Sequence, residues 1–469
     1  MTPRPVLASW PLAAALLAAL TIAAAWPGIA MYDTVSQFGE VLSGAYDDWH
    51  PPAMARLWAV LRGVFGGQAQ PMLVVQVGLY WLGLGLIAGA LARIGGRGAA
   101  VAVLACGVLP VFLFWQMAVL KDAQMLGAML ASMGIVAWWR LADKRVPWWG
   151  WALVAVALLY ATLVRANAVF AVAPLVAMLV ATRWRMRALL TVAMVLATLG
   201  GMQVVNHQVF GAEDTGIRTT QPRYDLAGIA MRVADPSATH LSPAQAEGLR
   251  RGHCVKGYFW DPLGDGPCAE AEAPLAGLSV GQLYATLAGA IVRHPIAYTE
   301  HRLSHLNSTE RWLVPAGWLG AWPPTEAEPN TIGLGNPGTV AAWLNQATAP
   351  LAETPLAWPI AWLAVAISAL VVALRRPASP RRDLALALLV SALALEASFA
   401  VISIASDLRY HLWPMMATAL AVVLLADARP SRRALRIGGA ALGLIIAGGI
   451  ASRAILPHAP DSYRAMLTS

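Results

Sequence analysis

"MYDTVSQFGEVLSGAYDDWHPPAMARLW", residues 31–58, follows directly on an apolar run, yet it carries three aspartates, a glutamate, His50 and the pair Pro51-Pro52. Ionisable groups beside a membrane-length segment are costly unless they face water, a polar cavity or one another. What Asp33, Asp47, Asp48 and His50 are for depends on which side of a membrane they lie, and so on the rest of the chain.

The chain has 469 residues, 58% of them hydrophobic and only 12% charged. Soluble domains carry roughly a quarter of their residues as charged types. Much of this surface must therefore face something other than water, and the expected class is an all-α polytopic membrane protein in contact with lipid. The net charge of +8 is not pooled into a basic patch with interleaved aromatics, so nucleic acid is not an expected partner.

Apolar runs fall near 8–30, 71–92, 99–118, 123–139, 148–164, 168–182, 188–206, 356–374, 384–404, 411–426 and 437–452. This predicts eleven spans, several shorter than the ~20 residues a perpendicular helix needs. The pair around Arg165 reads equally as two short spans or one re-entrant hairpin. Small basic clusters occupy every second boundary: Arg4; Arg93 and Arg97; Arg140, Lys144 and Arg145; Arg183, Arg185 and Arg187; Arg375, Arg376, Arg381 and Arg382; Arg429, Arg432, Arg433 and Arg436. The positive-inside rule then puts the N-terminus in the cytoplasm and the C-terminus outside. Arg4 before an apolar core is also signal-like, but no small-x-small site precedes Asp33, which argues against cleavage.

The expected organisation is an N-terminal bundle over 1–206 with an acidic first external loop (31–70), an external segment over 207–355 and C-terminal helices over 356–469. The external segment is polar and rich in Pro and Gly, with helix-like stretches around 242–252 and 279–306, and is long enough to be a small domain. If it lies outside the cytosol, Cys254 and Cys268 are close enough in sequence for a loop-closing disulfide. Cys106 sits in an apolar run and reads as packing.

On this topology the unusual polar residues collect on one side. The first loop supplies Asp33, Gln37, Asp47, Asp48 and His50; "QMAVLKDAQ" supplies Lys121 and Asp122; "TLVRANAVF" supplies Arg165 and Asn167; "SIASDLRYH" supplies Asp407, Arg409 and Tyr410. "TTQPRYDLAGIA" adds Arg223, Tyr224 and Asp225 from the large segment. Each corner also has a plain reading: helix caps for the aspartates, an ion pair for Lys121 and Asp122, snorkelling for Arg165, an interfacial anchor for Arg409-Tyr410. Those readings must all hold on the same face, whereas one shared cleft accounts for them together.

Cations among carboxylates at an outer leaflet suit the binding of a lipid phosphate and attack on the group it carries. Lys121, Arg165 and Arg409 can hold phosphate and stabilise the charge that develops on it as it leaves. A carboxylate near an acceptor hydroxyl serves as general base. No nucleotide-binding glycine loop is present, which points away from a soluble nucleotide-sugar donor.

Asp33…Gln37 ("D-x-x-x-Q"), Asp48-Trp49-His50-Pro51-Pro52 ("D-W-H-P-P"), Lys121-Asp122, Arg165 with Asn167, and Asp407/Arg409-Tyr410 together resemble the GT-C class of membrane glycosyltransferases, nearest to uncharacterised bacterial members with this first loop. The resemblance covers most of the chain. It implies an inverting transferase that uses a polyprenyl-phosphate sugar donor and a glycan, lipid or protein acceptor at the outer face of a bacterial inner membrane. It implies Asp33 as base or acceptor-orienting residue, with Asp47 and Asp48 binding acceptor or metal. The loop ends in Asp-Asp-Trp-His rather than the Asp-Glu of better-known members, so the choice of base between Asp33 and Asp48 stays open. So does any use of a divalent metal, for which Asp48 and His50 offer too few ligands. The alternative is a secondary transporter or flippase. It would want ionisable residues and broken helices at span centres, where only Glu396 and, more weakly, Gln76 are found.

Overall fold

The structure is a computed structural model that describes residues 6–264, 266–427 and 431–468; Arg4 and Arg429 of the basic clusters lie outside them. Among the described residues the chain is helical, with isolated bridges but no strand. In order come α1 (Val6–Ala25), α2 (Tyr32–Ser43), α3 (Ala53–Phe65), α4 (Gln70–Arg93), α5 (Arg97–Val108), α6 (Pro110–Met117), α7 (Lys121–Arg140), α8 (Trp148–Val164), α9 (Val169–Val180) and α10 (Trp184–Val204). The polar segment folds as α11 (Ile217–Ala230), α12 (Pro243–Arg251), α13 (Gly266–Ala276), α14 (Val280–Arg293), α15 (Pro295–Thr309) and α16 (Thr339–Thr348). The chain continues through α17 (Pro359–Leu374), α18 (Pro380–Ile402), α19 (Leu412–Leu424), α20 (Arg432–Ile455) and α21 (Tyr463–Thr468).

Every apolar run becomes helix, and the run at 99–118 becomes two. Leu109 adopts extended backbone ahead of Pro110, as a residue before proline must, and α5 and α6 meet at 53°. Four helices are long and apolar enough to cross a bilayer: α4, α10 with its continuation to residue 209, α18 and α20. Counting each bent pair as one span, α5–α6 and α13–α14, raises this to six; α1, α8, α9, α17 and α19 are apolar but shorter. Helix length therefore does not establish the expected eleven crossings. Around Arg165 there are two separate helices, with α8 packed on α7 and α9 packed between α10 and α18.

The membrane character shows on the outside of the bundle. Helices α10 and α20 expose Leu189, Val192, Leu196 and Leu199, and Leu435, Ile437, Leu444 and Ile450. Apolar surface so extensive is stable against lipid rather than water. Inside, α4 and α7 approach until small residues touch backbone. A Cβ on Gly83 would strike the Leu130 carbonyl, and one on Gly134 would lie 2.7 Å from Gly83 O. Such close approach is how apolar helices gain packing energy where lipid offers no hydrophobic drive.

The segment 207–355 has its own buried core, built from Tyr224, Leu226, Ile229, Leu249, Leu263, Leu275, Leu283 and Leu287. Cys254 and Cys268 are joined in a disulfide and are buried within that core. The two stretches read as helical correspond to α12, α14 and α15. Helices α11, α13 and α16 escaped the reading because Pro, Gly and short length blur their periodicity. Helices α2 and α3 inside the first loop were likewise not foreseen. Glycines at positive φ end them both, Gly44 at φ 72° in the left-handed conformation and Gly66 at φ 69° with an extended ψ.

Candidate functional site

The site begins with a break in the bundle. Between α6 and α7, Ala118 and Leu120 have extended backbone, which leaves carbonyls and amides without helical partners. Buried backbone groups must find partners elsewhere. Ile29 supplies two, with its N–H donating to Met117 O (2.9 Å) and its carbonyl accepting from Val119 N (3.0 Å). The Gln76 amide donates to Gln116 O (2.7 Å) and Ala118 O (2.8 Å). The Thr34 hydroxyl accepts from Met31 N (3.0 Å) and donates to Val119 O (2.7 Å). The start of α2 is thereby fastened to the start of α7, and Asp33 comes to lie beside Lys121. Gln76, a weak mid-span exception in sequence, is a backbone clamp.

Asp33 and Asp122 each occupy the first turn of a helix, where free N–H groups and the helix dipole favour a carboxylate. Asp33 Oδ2 forms ion pairs with Lys121 Nζ at 3.3 Å and Arg409 NH1 at 3.1 Å, and Oδ1 lies 3.9 Å from His50 Nε2. Arg165 pairs with Asp122 at 2.5 Å and lies 4.2 Å over the Tyr410 ring. Arg409 reaches Asp407 at 3.1 Å and Asp122 at 3.9 Å. Eight residues from five chain segments thus form one network: Asp33, His50, Lys121, Asp122, Arg165, Asp407, Arg409 and Tyr410.

Three carboxylates face two arginines and a lysine, and the histidine between them is neutral. Burial and then Lys121 push the His50 imidazole down to about 3. Lys121 Nζ lies 2.5 Å from His50 Nδ1, so Lys121 donates and the ring proton belongs on Nε2, the atom facing Asp33. Burial alone would raise the Asp33 carboxyl, but Arg409 and Lys121 hold it well below the usual carboxylate range. Asp407 moves the other way, raised because burial outweighs Arg409. Side-chain exposure across the network runs from 2% at Asp122 to 20% at Asp407, so it is screened from water but not sealed.

The remaining sequence candidates lie elsewhere or stand alone. Asp48 Oδ1 accepts from Thr215 N (2.8 Å) and Thr215 Oγ1 (2.7 Å), and Oδ2 faces His207 Nε2 at 3.4 Å. It ties the first loop to the start of the 207–355 segment, and its partners are not those of Asp33. Asp47 accepts from Trp49 N at 2.9 Å, a local turn contact. Tyr224 is fully buried in the core of the large segment, its hydroxyl donating to Lys256 O, above the ion pairs of Asp225 with Arg302 (2.6 Å) and His301 (3.1 Å). Asn167 is half-buried two residues past Arg165, in the short turn before α9.

Gln37 and Glu40 follow Asp33 at i+4 and i+7, which puts the three on one face of α2. Both are buried, and their side-chain polar atoms have no hydrogen-bond partner. Burial, reinforced by Asp47, raises the Glu40 carboxyl to about 8. Glu40 was not among the residues singled out from sequence, although its helical spacing from Asp33 is the signal that could have found it.

The large segment closes over the network from one side. Trp260 N donates to Ile404 O (3.0 Å), Leu408 N to Gly320 O (2.9 Å), and Arg302 to Ser403 O (2.7 Å). Gly320, at φ 75°, sits against Asp407 so closely that a Cβ would collide with its carboxylate.

No family model matches this chain, and no curated protein does. A solved structure similar to it is the archaeal oligosaccharyltransferase AglB from Archaeoglobus fulgidus, determined in complex with an inhibitory peptide and a dolichol-phosphate. The identity is 16% and the TM-score 0.36, over 96% of this chain and 56% of that one. The chain therefore spans a little over half the length of that protein, and a likeness so loose assigns neither family nor activity.

Proposed function

We propose that this protein is an inverting glycosyltransferase that takes a sugar from a polyprenyl-phosphate donor at the outer face of a bacterial inner membrane. It passes the sugar to a glycan, lipid or protein of the cell envelope. The observation that carries the reading is the carboxylate of Asp33 held within 3.3 Å of both Lys121 and Arg409, groups drawn from distant parts of the chain.

The acceptor hydroxyl attacks the anomeric carbon, the bond from that carbon to the phosphate oxygen breaks, and the electron pair leaves with the polyprenyl phosphate. The hydroxyl proton goes to Asp33. A single carboxylate base with direct displacement inverts the anomeric centre. Lys121, Arg165 and Arg409 take up the phosphate charge as it grows.

The three cations are already balanced by Asp33, Asp122 and Asp407. A donor phosphate must compete for them, and each cation it captures loosens the hold on Asp33. Donor binding then raises the basicity of Asp33 at the moment the acceptor needs deprotonating. Asp33 is the proposed base over Asp48, whose Oδ1 is taken by Thr215 and whose Oδ2 faces His207 rather than the cations of the network.

The test is to incubate the purified chain in vesicles with a synthetic polyprenyl-phosphate sugar and candidate acceptors. In parallel, envelope glycans of a deletion strain are compared with wild type by mass spectrometry. Transfer in vitro and one missing sugar in vivo support the reading. An unchanged glycan profile together with no hydrolysis or transfer of any lipid-linked sugar would sink it.

A further inference from the structure

Behind the network, three buried ligand groups converge from three elements. Glu310 follows the end of α15, Glu396 projects from α18, and His411 closes the short turn before α19. The three are 3%, 4% and 0% exposed. One ligand atom from each lies within 4.8 Å of the others. His411 Nδ1 is 2.8 Å from Glu396 Oε2 and 3.0 Å from Oε1, and Glu310 Oε2 is buried without a hydrogen-bond partner.

We propose that Glu310, Glu396 and His411 bind a divalent cation of the Mn2+ or Zn2+ kind. Two carboxylates facing one another in an apolar interior repel unless a proton or a cation stands between them, and the His411 imidazole brings a third ligand group to the same point. The nearest arginine in sequence, Arg311, directs its guanidinium at Leu319 O and Trp318 O instead. Two oxygens and one imidazole nitrogen suit Mn2+ or Zn2+. Ligands about 2.0–2.2 Å from a common ion lie up to roughly 4.4 Å apart, so the observed spread needs only a small side-chain adjustment.

The surroundings of the histidine fit the same reading. Its Nε2 lies 3.1 Å from the buried hydroxyl of Thr309. A ring N–H given to a neighbouring oxygen is the usual outer partner of a metal-binding histidine, and it turns the Nδ1 lone pair toward the carboxylates.

The ion would join the large segment to the bundle two residues from Arg409, and so set the corner that carries Arg409 and Tyr410. Its presence does not depend on the sugar-transfer reading, and each can fail without the other.

The experiment uses the full chain purified in detergent and dialysed against metal-free buffer. Elemental analysis is expected to find one divalent cation per chain. EDTA is expected to lower the melting temperature, and added Mn2+ or Zn2+ to restore it. Glu310→Gln and His411→Gln should lose the ion while gel filtration still shows a single species. Wild-type protein with no bound cation and EDTA-insensitive melting would overturn the proposal and leave a proton-sharing acid pair in its place. Cation content unchanged in both variants would overturn it too, as metal held elsewhere. If neither variant folds, the wild-type metal content and chelator response still decide.

Discussion

The guanidinium of Arg409 lies 3.1 Å from the carboxylate of Asp33, joining the turn before α19 to the first turn of α2. Both side chains are nearly buried, at 9% and 12% exposure, so the pair is felt more strongly than one in open water. The shared carboxylate oxygen also takes Lys121. Anything that alters Asp33 changes what two cations can do.

Asp33→Asn keeps the side-chain shape and removes the proton acceptor. Turnover should fall by about 10²–10⁴, the usual worth of a positioned base, while donor binding holds or tightens because Lys121 and Arg409 are released. Asp48→Asn is the partner experiment. It breaks bonds to Thr215 and the pairing with His207, so it should lower the melting temperature and leave kcat of the folded fraction close to wild type. Normal transfer by a purified Asp33→Asn protein refutes the assignment.

Arg409→Ala should weaken donor binding and slow turnover together, because the cation serves both the bound phosphate and the departing one. It also leaves Asp33, Asp122 and Asp407 short of a partner, at a cost of about 1–3 kcal/mol in stability. A binding titration with the lipid donor reads the first effect and thermal melting the second. Undiminished donor affinity would remove Arg409 from the phosphate site.

Glu40 carries a pH signature. Its carboxyl, ordinarily at 4.5, stands at about 8 in the folded chain. Below both values it is protonated in either state. Between them only the unfolded chain gives up the proton, so stability drains away as pH rises toward 8 and levels off above it. The melting temperature should therefore fall from pH 5 to pH 8 in the wild type and fall less in Glu40→Gln. Parallel pH profiles for the two proteins would contradict this.

Asp225→Asn should act on folding rather than chemistry. Asp225 is fully buried between Arg302 and His301, and its loss leaves those groups unmatched. A penalty of about 3–5 kcal/mol is expected for breaking a buried pair. Melting should drop, with KM unchanged in whatever protein stays folded. A raised KM with unaltered melting would place Asp225 and its neighbour Tyr224 in the substrate site instead.

Apolar run length and the low share of charge were enough to read an all-helical membrane protein, because burial against lipid depends on the local density of apolar side chains. The same pattern could not count crossings. Leu109 bends one run into two helices, and α7 keeps Gln124 and Ser132 among buried partners, facing protein rather than lipid. Helices α2 and α3 are short and amphipathic and α11 carries an internal proline, so none of the three stands out as an apolar run.

The chain itself also determined which residues were out of place: acids and bases at the ends of apolar runs, conspicuous because hydrocarbon penalises them wherever they occur. Only the tertiary structure decided which of them meet. Asp33 and Asp48 are the same residue type in the same loop, yet the extended link at Ala118–Leu120 draws one toward Lys121 and Arg409. A bridge to Glu213 draws the other toward Thr215 and His207. Partnership between side chains hundreds of residues apart is set by how helices pack and where they break, and no local feature of the chain encodes it.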